Sequence, residues 1–117
     1  MNYKDLVVWQ KAIAFVSEIY LLTKGFPSDE RFSLTDQMRR AAVSIPSNIA
    51  EGHARKSKAD FARFLRISYG SSAEIETQLI IAKNLNYLTD PQLQEPLQKI
   101  TELQKMLNAL ISKQLSN

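Results

Sequence analysis

Apolar residues recur at intervals of three and four over most of the chain, which is the spacing of helices that bury one face. Four such segments stand out, at residues 6–24, 34–52, 57–86 and 90–117. Short polar connectors separate these segments, and short connectors make consecutive helices antiparallel neighbours. The pattern therefore predicts an all-α protein, an antiparallel up-down four-helix bundle that forms a single domain over residues 1–117.

Residues at the segment boundaries indicate where each helix begins and ends. Gly25 should adopt the left-handed conformation that closes the first helix, and Pro27 prevents the helix from continuing. Gly52 is the expected end of the second helix. Side chains that can accept hydrogen bonds from the free N–H groups of a helix start occupy the expected N-caps, which are Asp5, Ser33, Ser57 and Asp90.

Two residues are unusual inside these helical patterns. Pro46 removes one backbone hydrogen bond, but the apolar spacing continues across it, so we predict a second helix that is kinked at Pro46 and continuous. Gly70 costs about 1 kcal/mol relative to alanine in mid-helix. We expect a neighbouring helix backbone to approach Gly70 closely and offset that cost. The predicted inner face of the third helix consists of Phe61, Phe64, Leu65, Ser68, Ser72, Ile75, Leu79 and Ala82.

Further apolar residues lie outside the predicted inner faces. The first helix is apolar over more than one stripe. Such side chains either lie scattered on the surface or pack against another subunit, and the pattern is consistent with both. Off the inner faces of the other helices lie Val43, Ile67, Tyr69, Ile80 and Ile81.

The composition bears on the cellular location. The chain has no cysteine, which excludes disulfides and favours a reducing compartment. The longest purely apolar run, Ala12 to Val16, is far shorter than the ~20 residues of a membrane span. Polar residues interrupt the apolar N-terminus, so no signal peptide is expected. These observations predict a cytoplasmic protein with no membrane partner.

The sequence contains no recognisable catalytic or metal-binding constellation. A di-metal site in a four-helix bundle needs inward glutamates and Glu-x-x-His pairs, but His53, the single histidine, has no glutamate three residues before it. Glu74 and Glu76 are two residues apart and point to different sides of their helix. The three glycines are isolated, which excludes the phosphate-binding loops. We therefore expect no enzyme activity, no metal, no cofactor and no small-molecule substrate.

Basic residues concentrate between residues 39 and 66. Seven basic side chains stand there against Glu51 and Asp60, a local charge of +5 in a chain of net charge +3. Arrays of lysine and arginine contact phosphates without reading base sequence, so this segment is a candidate surface for RNA or DNA. The candidate residues are Arg39, Arg40, Arg55, Lys56, Lys58, Arg63 and Arg66.

Other roles are consistent with the same charges. Arginines on solvated helix faces keep a protein soluble without any partner. Arg39 and Arg40, expected on the outer side of the second helix, can also pair with Glu51, Glu74 or Glu76 of neighbouring helices or subunits.

Two long stretches carry a resemblance to a known family. LTDQMRRAAVSIPSNIAEGHAR, residues 34–55, and FLRISYGSSAEIETQL, residues 64–79, resemble the four-helix-bundle family whose first members are encoded in intervening sequences of bacterial 23S ribosomal RNA genes. YKDLVVWQKA, residues 3–12, and KMLNALI, residues 105–111, extend the similarity over nearly the whole chain.

The resemblance implies an antiparallel four-helix bundle, a homopentamer like those of its relatives, and no enzyme activity. The role of most members of this family is not established. A branch related in fold, the accessory proteins of diversity-generating retroelements, associates with nucleic acid.

The family motif implies packing roles for its residues. The Asn48 side chain should bond backbone groups that Pro46 leaves free, Glu51 should pair with Arg40 or Arg55, and the serines near Gly70 should allow close packing. The motif residues are Arg39, Arg40, Ser44, Pro46, Asn48, Glu51, Gly52, Gly70, Ser71, Glu74 and Glu76.

Two functions follow as hypotheses. The first is a homo-oligomeric helical scaffold that binds nucleic acid or a nucleoprotein through residues 39–66. The alternative is a structural or protein–protein interaction oligomer without nucleic-acid binding. They differ in whether the basic side chains converge on an exposed surface or are engaged in salt bridges.

Overall fold

Four long helices account for most of the protein, whose computed structural model describes residues 2–116. A short 3₁₀ helix precedes the first of them, and a second one lies in the following connector, at Tyr3–Asp5 and Ser28–Glu30. The four helices are α1 Val7–Thr23, α2 Leu34–Ala54, α3 Lys58–Asn84 and α4 Asp90–Leu115. The described residues include no β-strand.

Each helix packs against two others, in the cyclic order α1, α2, α3, α4 and back to α1. Because the connectors are short, consecutive helices run antiparallel, and the molecule is an up-down bundle 47 Å long and 23 by 20 Å across. The predicted all-α, four-helix fold is confirmed. None of the helices in residues 2–116 combines the length and the apolarity needed to cross a membrane.

The core runs along the axis of the bundle and follows the predicted stripes closely. All eight residues of the predicted inner face of α3 are buried. On α2, Met38, Ile45 and Ile49 are completely buried, whereas Leu34 at the start of the helix is half-buried. Full burial of an apolar side chain of this size contributes about 1.5–3 kcal/mol, so the shared core is what keeps the helices together.

The helix starts differ in part from the prediction. Ser57 caps α3 as expected, since its hydroxyl accepts a hydrogen bond from the Asp60 N–H at 3.3 Å. Thr89, rather than Asp90, caps α4, and it forms a reciprocal capping box with Gln92. Threonine is the cap because the backbone N–H and the side chain of Gln92, three residues later, are both in the positions that a capping box requires.

The other two expected caps act differently. Asp5 belongs to the N-terminal 3₁₀ helix, where its carboxylate accepts the Asn2 N–H at 3.2 Å, and α1 begins after Leu6 without a side-chain cap. Ser33 occupies the N-cap position of α2, but its hydroxyl donates to the Glu30 carboxylate at 2.5 Å instead of accepting from the helix.

The glycines do not play the predicted roles. None has a positive φ, so Gly25 is not a left-handed cap, and α1 ends in ordinary turns before Pro27. The left-handed positions after α2 and α3 are held by Lys56, at φ 58°, and Asn86, at φ 64°. A β-carbon on Gly70 would meet no atom within 4 Å, so the expected close approach is absent there.

The close approach of two helices occurs at Gly52 instead. α2 continues past Gly52 to Ala54, so this glycine does not end the helix. Gly52 is buried, and a β-carbon there would lie 2.5 Å from the Phe64 Cβ on α3. Glycine at this position is therefore required by packing rather than by backbone conformation.

Hydrogen bonds link α2 to α3 near Pro46. The α2 helix is continuous through Pro46, and the bend at that residue stays a prediction. Asn48 Nδ2 donates to the Ser44 carbonyl at 2.8 Å and to the Ser44 hydroxyl at 2.9 Å, and this hydroxyl shares a 2.7 Å hydrogen bond with Ser71 on α3. The proposed role of Asn48 was wrong in its target, because a proline in a helix frees the carbonyl four residues before it, which is that of Ala42.

Candidate nucleic-acid interface

The bundle divides the seven predicted basic residues into two groups. Arg39 and Arg40 lie near the start of α2, beside the end of α1, whereas the other five surround the connector between α2 and α3. Arg40 and Arg55 are separated by about 22 Å along α2, at 1.5 Å per residue. The seven residues therefore do not form one compact surface.

Arg39 is engaged in holding α2 to α1. Its Nε donates to Thr23 Oγ1 at 2.9 Å, its second guanidinium nitrogen donates to the Tyr20 carbonyl at 3.3 Å, and the guanidinium lies 4.6 Å from the centre of the Tyr20 ring. The side chain is half-buried, contrary to the expectation that it lies on the outer side of the helix. These contacts indicate a structural role for Arg39.

Arg40 is exposed and pairs within its own helix. Its Nε lies 3.0 Å from Asp36 Oδ2, and 80% of its side chain is accessible. Among the residues that the structure describes, none of the expected partners Glu51, Glu74 and Glu76 forms an ion pair with Arg40 or with any other residue. The expected pairing of Glu51 with Arg40 or Arg55 is therefore wrong for a single chain.

The remaining basic residues crowd one end of the bundle because only three residues connect α2 to α3. Lys56 reverses the chain in its left-handed conformation, and Ser57 starts α3 immediately afterwards. Arg55 and Arg63 both stack on Phe64, with guanidinium carbons 5.1 and 4.4 Å from the ring centre.

Most of these cations lack an acidic partner. Arg63 approaches Asp60 at 3.7 Å on the helix surface. In the described part of the chain no carboxylate lies within salt-bridge distance of the other four, which are Arg55, Lys56, Lys58 and Arg66.

A cleft of about 320 Å³ lies beside the connector and adds a sixth cation. Lys113, from the end of α4, lines this cleft together with Lys56 and Lys58, and His53 and Phe61 form part of its wall. Lys113 was missed in the sequence because it lies far from residues 39–66 along the chain. The up-down order of the helices could have predicted it, since this order places the end of α4 beside the connector between α2 and α3. We call the resulting surface the basic end: Arg55, Lys56, Lys58, Arg63, Arg66 and Lys113.

Two further groups of charged contacts lie away from the basic end. Lys99 binds Glu18 at 2.7 Å, and this hydrogen bond raises the pKa of Lys99. At the opposite end, hydrogen bonds from Ser33 and Tyr87 hold the pKa of the Glu30 carboxyl below its ordinary value. Within residues 2–116, no cluster of histidine, aspartate and glutamate has the arrangement of a metal site.

Comparison with known proteins places the chain in a family. The family described as 23S rRNA-intervening sequence protein matches residues 4–109. A crystal structure from Bacteroides thetaiotaomicron, of a protein with unknown function from the S23 ribosomal protein family, superposes with a TM-score of 0.84 at 29% sequence identity. The match covers 96% of this chain and 99% of that one. No curated protein matches. The extent of the family match and the shared bundle lead to one conclusion: the chain belongs to the 23S rRNA-intervening sequence protein family.

Proposed function

We propose that this protein is a non-enzymatic homo-oligomeric scaffold that binds nucleic acid, or a nucleoprotein, through the basic end. The observation that supports the proposal is the set of cations there that have no acidic partner among the described residues. Lysines and arginines that are not neutralised within the chain are available for phosphate oxygens. Arg39 and Arg40 are left out of the proposed surface because of their contacts and their distance from it.

The chemistry of the basic end suits phosphate contacts rather than base recognition. Its charges come from a connector, from the first nine residues of α3 and from the end of α4, rather than from one face of a single helix. Binding of this kind is independent of sequence and weakens steeply with salt, because each neutralised phosphate releases condensed counterions.

The distribution of exposed apolar side chains supports the oligomer. Of the residues expected off the inner faces, Tyr69 packs against the core, whereas Val43, Ile67, Ile80 and Ile81 are exposed. The large exposed apolar side chains of the described residues lie mainly on α1 to α3 and their connectors, at Val7, Ile13, Tyr20, Leu21, Phe32, Val43, Ile67, Ile80, Ile81 and Leu85. On α4 this class contains Leu115 alone among the described residues. We propose that the apolar sides meet other copies and that α4 faces water.

Oligomerisation would strengthen weak phosphate contacts. The resemblance favours a pentamer, and five copies of a chain of charge +3 sum to +15. Repeated basic ends that face one polymer would raise its overall affinity through the effective concentration of neighbouring sites.

Binding to labelled nucleic acid across a range of salt concentrations tests the proposal. Fluorescence anisotropy with single-stranded RNA and with duplex DNA should give similar affinities for unrelated sequences. The logarithm of the association constant should fall linearly with the logarithm of salt concentration, with a slope of about −0.7 per neutralised phosphate for single strands and about −0.9 for duplexes. An absence of binding at low salt would overturn the proposal.

A second function is favoured by a different observation. Arg55 and Arg63 cover the ring of Phe64. Arg39 bonds Thr23 and Arg40 pairs with Asp36, so four of the seven predicted basic residues contact other side chains of the same chain. If nucleic acid does not bind, the oligomer alone is the function that these contacts support, as a structural or protein–protein interaction module.

A further inference from the structure

The bundle carries a groove and a ridge that its own helices leave unoccupied. The groove follows the outer seam between α1 and α2, and the ridge is the outer face of α3. We propose that the groove of one copy receives the ridge of a second copy. This inference rests on the homo-oligomer of the proposed function and assigns the surfaces through which the copies contact each other.

The groove consists of two adjoining clefts of about 570 and 380 Å³ that share Val43. Apolar side chains of α1 line one wall, and Ile13 and Tyr20 are 42% and 40% exposed. Val43 on the α2 wall is 41% exposed, so water contacts a large part of the apolar lining. Along α2 the lining extends from Asp36 to Ala50, which corresponds to about 21 Å.

The ridge consists of five exposed residues of α3 at alternating intervals of three and four. They lie on the side of α3 away from its buried face. The bundle covers the buried face and leaves the ridge exposed. The end residues of the ridge are isoleucines that are 42% and 43% exposed, and they are separated by about 21 Å, the length of the groove. In order, the ridge is Ile67, Gly70, Glu74, Thr77 and Ile81.

Gly70 gives the ridge a low point between two larger side chains. A β-carbon there would have no neighbour within 4 Å, so nothing inside the chain requires glycine at a position where it costs about 1 kcal/mol relative to alanine. Seated in the groove, Gly70 would let the backbones of α3 and of the second copy's helices approach closely. The second copy thus supplies the close contact that the single chain lacks.

Charge complementarity also selects a second copy as the occupant. Arg40 lies on the α2 wall of the groove, about 6 Å from its Asp36 end, and is 80% exposed. Its surface pair with Asp36 leaves guanidinium N–H groups free. Glu74 on the ridge is exposed and has no ion pair among the described residues; its one hydrogen bond, from Gln78, is long at 3.4 Å. A bidentate contact between Arg40 and Glu74 of a second copy would join the two surfaces.

The groove and the ridge are different surfaces of the same chain. A contact between them is therefore heterologous, and its repetition closes into a ring when the rotation between copies permits. The polar outer face of α4 lies outside this contact, which agrees with its scarcity of exposed apolar side chains.

Gly70→Leu tests the ridge without disturbing the fold, because the side chain enters open space in the single chain. Asn108→Leu, at an exposed position of α4, is the matched control. By light scattering and sedimentation across a concentration series, Gly70→Leu should weaken assembly at least about tenfold, whereas Asn108→Leu should assemble like the wild type. Helical circular dichroism verifies that both variants fold.

Charge reversal tests the pairing of the two surfaces. Arg40→Glu and Glu74→Arg should each weaken assembly at least about tenfold, and the double variant should recover most of the wild-type assembly. Weaker assembly in both single variants without recovery in the double variant overturns the Arg40–Glu74 contact. An oligomeric wild type whose assembly is unchanged by Gly70→Leu overturns the groove-and-ridge interface but leaves the proposed oligomer intact. A wild type that stays at the monomer mass of 13.3 kDa overturns both.

Discussion

Gly52 of α2 and Phe64 of α3 meet so closely that a β-carbon on Gly52 would lie 2.5 Å from the Phe64 Cβ. This contact fixes the distance between α2 and α3 next to their connector. Phe64 in turn carries the guanidinium groups of Arg55 and Arg63 on its ring. The packing of one glycine therefore determines where two arginines of the basic end lie.

Alanine at Gly52 and at Gly70 should have opposite effects on stability. Both substitutions gain up to about 1 kcal/mol of helix propensity. At Gly52 the new methyl group collides with Phe64 in the core, and overpacking of this kind costs about 1–3 kcal/mol, so Gly52→Ala should be destabilising overall. Gly70→Ala meets no atom within 4 Å of its β-carbon and should stabilise the isolated fold. Urea denaturation under conditions that keep the protein monomeric compares the two variants; equal shifts would contradict the packing argument.

Gln78, on the buried face of α3, provides a second test of stability. The residue is 5% exposed, and no protein group in the described residues donates to its Oε1. A buried polar atom without a partner costs about 1–3 kcal/mol. Gln78→Met, which keeps the shape of the side chain, should therefore raise the free energy of unfolding by about 1 kcal/mol. A lower unfolding free energy would mean that the amide has a partner, such as water or another copy.

Ser68 should matter more than the comparable hydroxyl of Thr77. Each hydroxyl on α3 donates to a backbone carbonyl, but Ser68 is completely buried and reaches across to Ile45 of α2 at 2.9 Å. Thr77 is exposed and bonds Ala73 of its own helix at 3.0 Å. Ser68→Ala should cost about 1 kcal/mol, because it leaves the Ile45 carbonyl without this donor in the core. Thr77→Ala is the control and should be near neutral in urea denaturation under conditions that keep the protein monomeric, because Thr77 lies on the proposed ridge. Similar destabilisation by both would remove any special role of the interhelix bond.

Stability at acidic pH should depend on Glu30. Hydrogen bonds from the Ser33 and Tyr87 hydroxyls lower the pKa of Glu30 in the folded state below its ordinary value of 4.5. The folded state therefore binds fewer protons, and this stabilisation is complete above that value and is lost as the pH falls through the lower folded pKa. Glu30→Gln should flatten this part of the curve of Tm against pH.

Tyr87 should produce the mirror-image effect at alkaline pH. Its hydrogen bond to Glu30 raises the pKa of Tyr87 above 10.0 in the folded state, so the stabilisation is complete below that pH and is lost as the pH rises through the folded pKa. For the acid limb, Asp29→Asn serves as the control of Glu30→Gln, because the Asp29 side chain forms none of the described hydrogen bonds and its charge affects the pKa of Tyr87 rather than that of Glu30. If Asp29→Asn alters the acid limb as much as Glu30→Gln does, the effect is general charge repulsion.

The fold could be predicted from the sequence because it depends on periodicity. All eight residues predicted for the inner face of α3 are buried, since each contributes to the same pattern, whereas the burial of Ala62 and Gln78 was not predicted. The helix ends were predicted less well because they depend on one or two hydrogen bonds. Thr89 and Asp90 are both good caps, and only the geometry of Gln92 decides between them.

The glycines show what periodicity cannot supply. A glycine after a helical pattern is consistent with a left-handed cap or with close packing, and the choice depends on a residue distant in sequence. For Gly52 that residue is Phe64 on the next helix. Lys56 and Asn86 adopt the left-handed conformation that the glycines do not, because tight connectors between packed helices impose it.

Only the part of the candidate site that is local in sequence was predicted. The residues around the connector are close in sequence and remain close in the bundle. Arg39 and Arg40 are separated from them by more than half the length of α2. A count of charges in a sequence window does not include this distance. Lys113 joins through the closure of α4 against the other helices, a tertiary relationship with no local sequence signal.

The most direct test of nucleic-acid binding compares two variants of equal net charge. One replaces the exposed cations of the basic end that neither form an ion pair within residues 2–116 nor stack on Phe64, which are Lys56, Lys58, Arg66 and Lys113, with glutamine. The control replaces Lys24, Arg31, Lys83 and Lys99, which lie nearer the opposite end of the bundle, and both chains fall from +3 to −1. Anisotropy with single-stranded RNA should show a weaker affinity for the first variant, and its salt slope should be less steep by about 0.7 for each phosphate that the variant no longer neutralises. The control should keep most of the affinity and the slope of the wild type. Equal binding by the two variants would contradict a nucleic-acid site at the basic end.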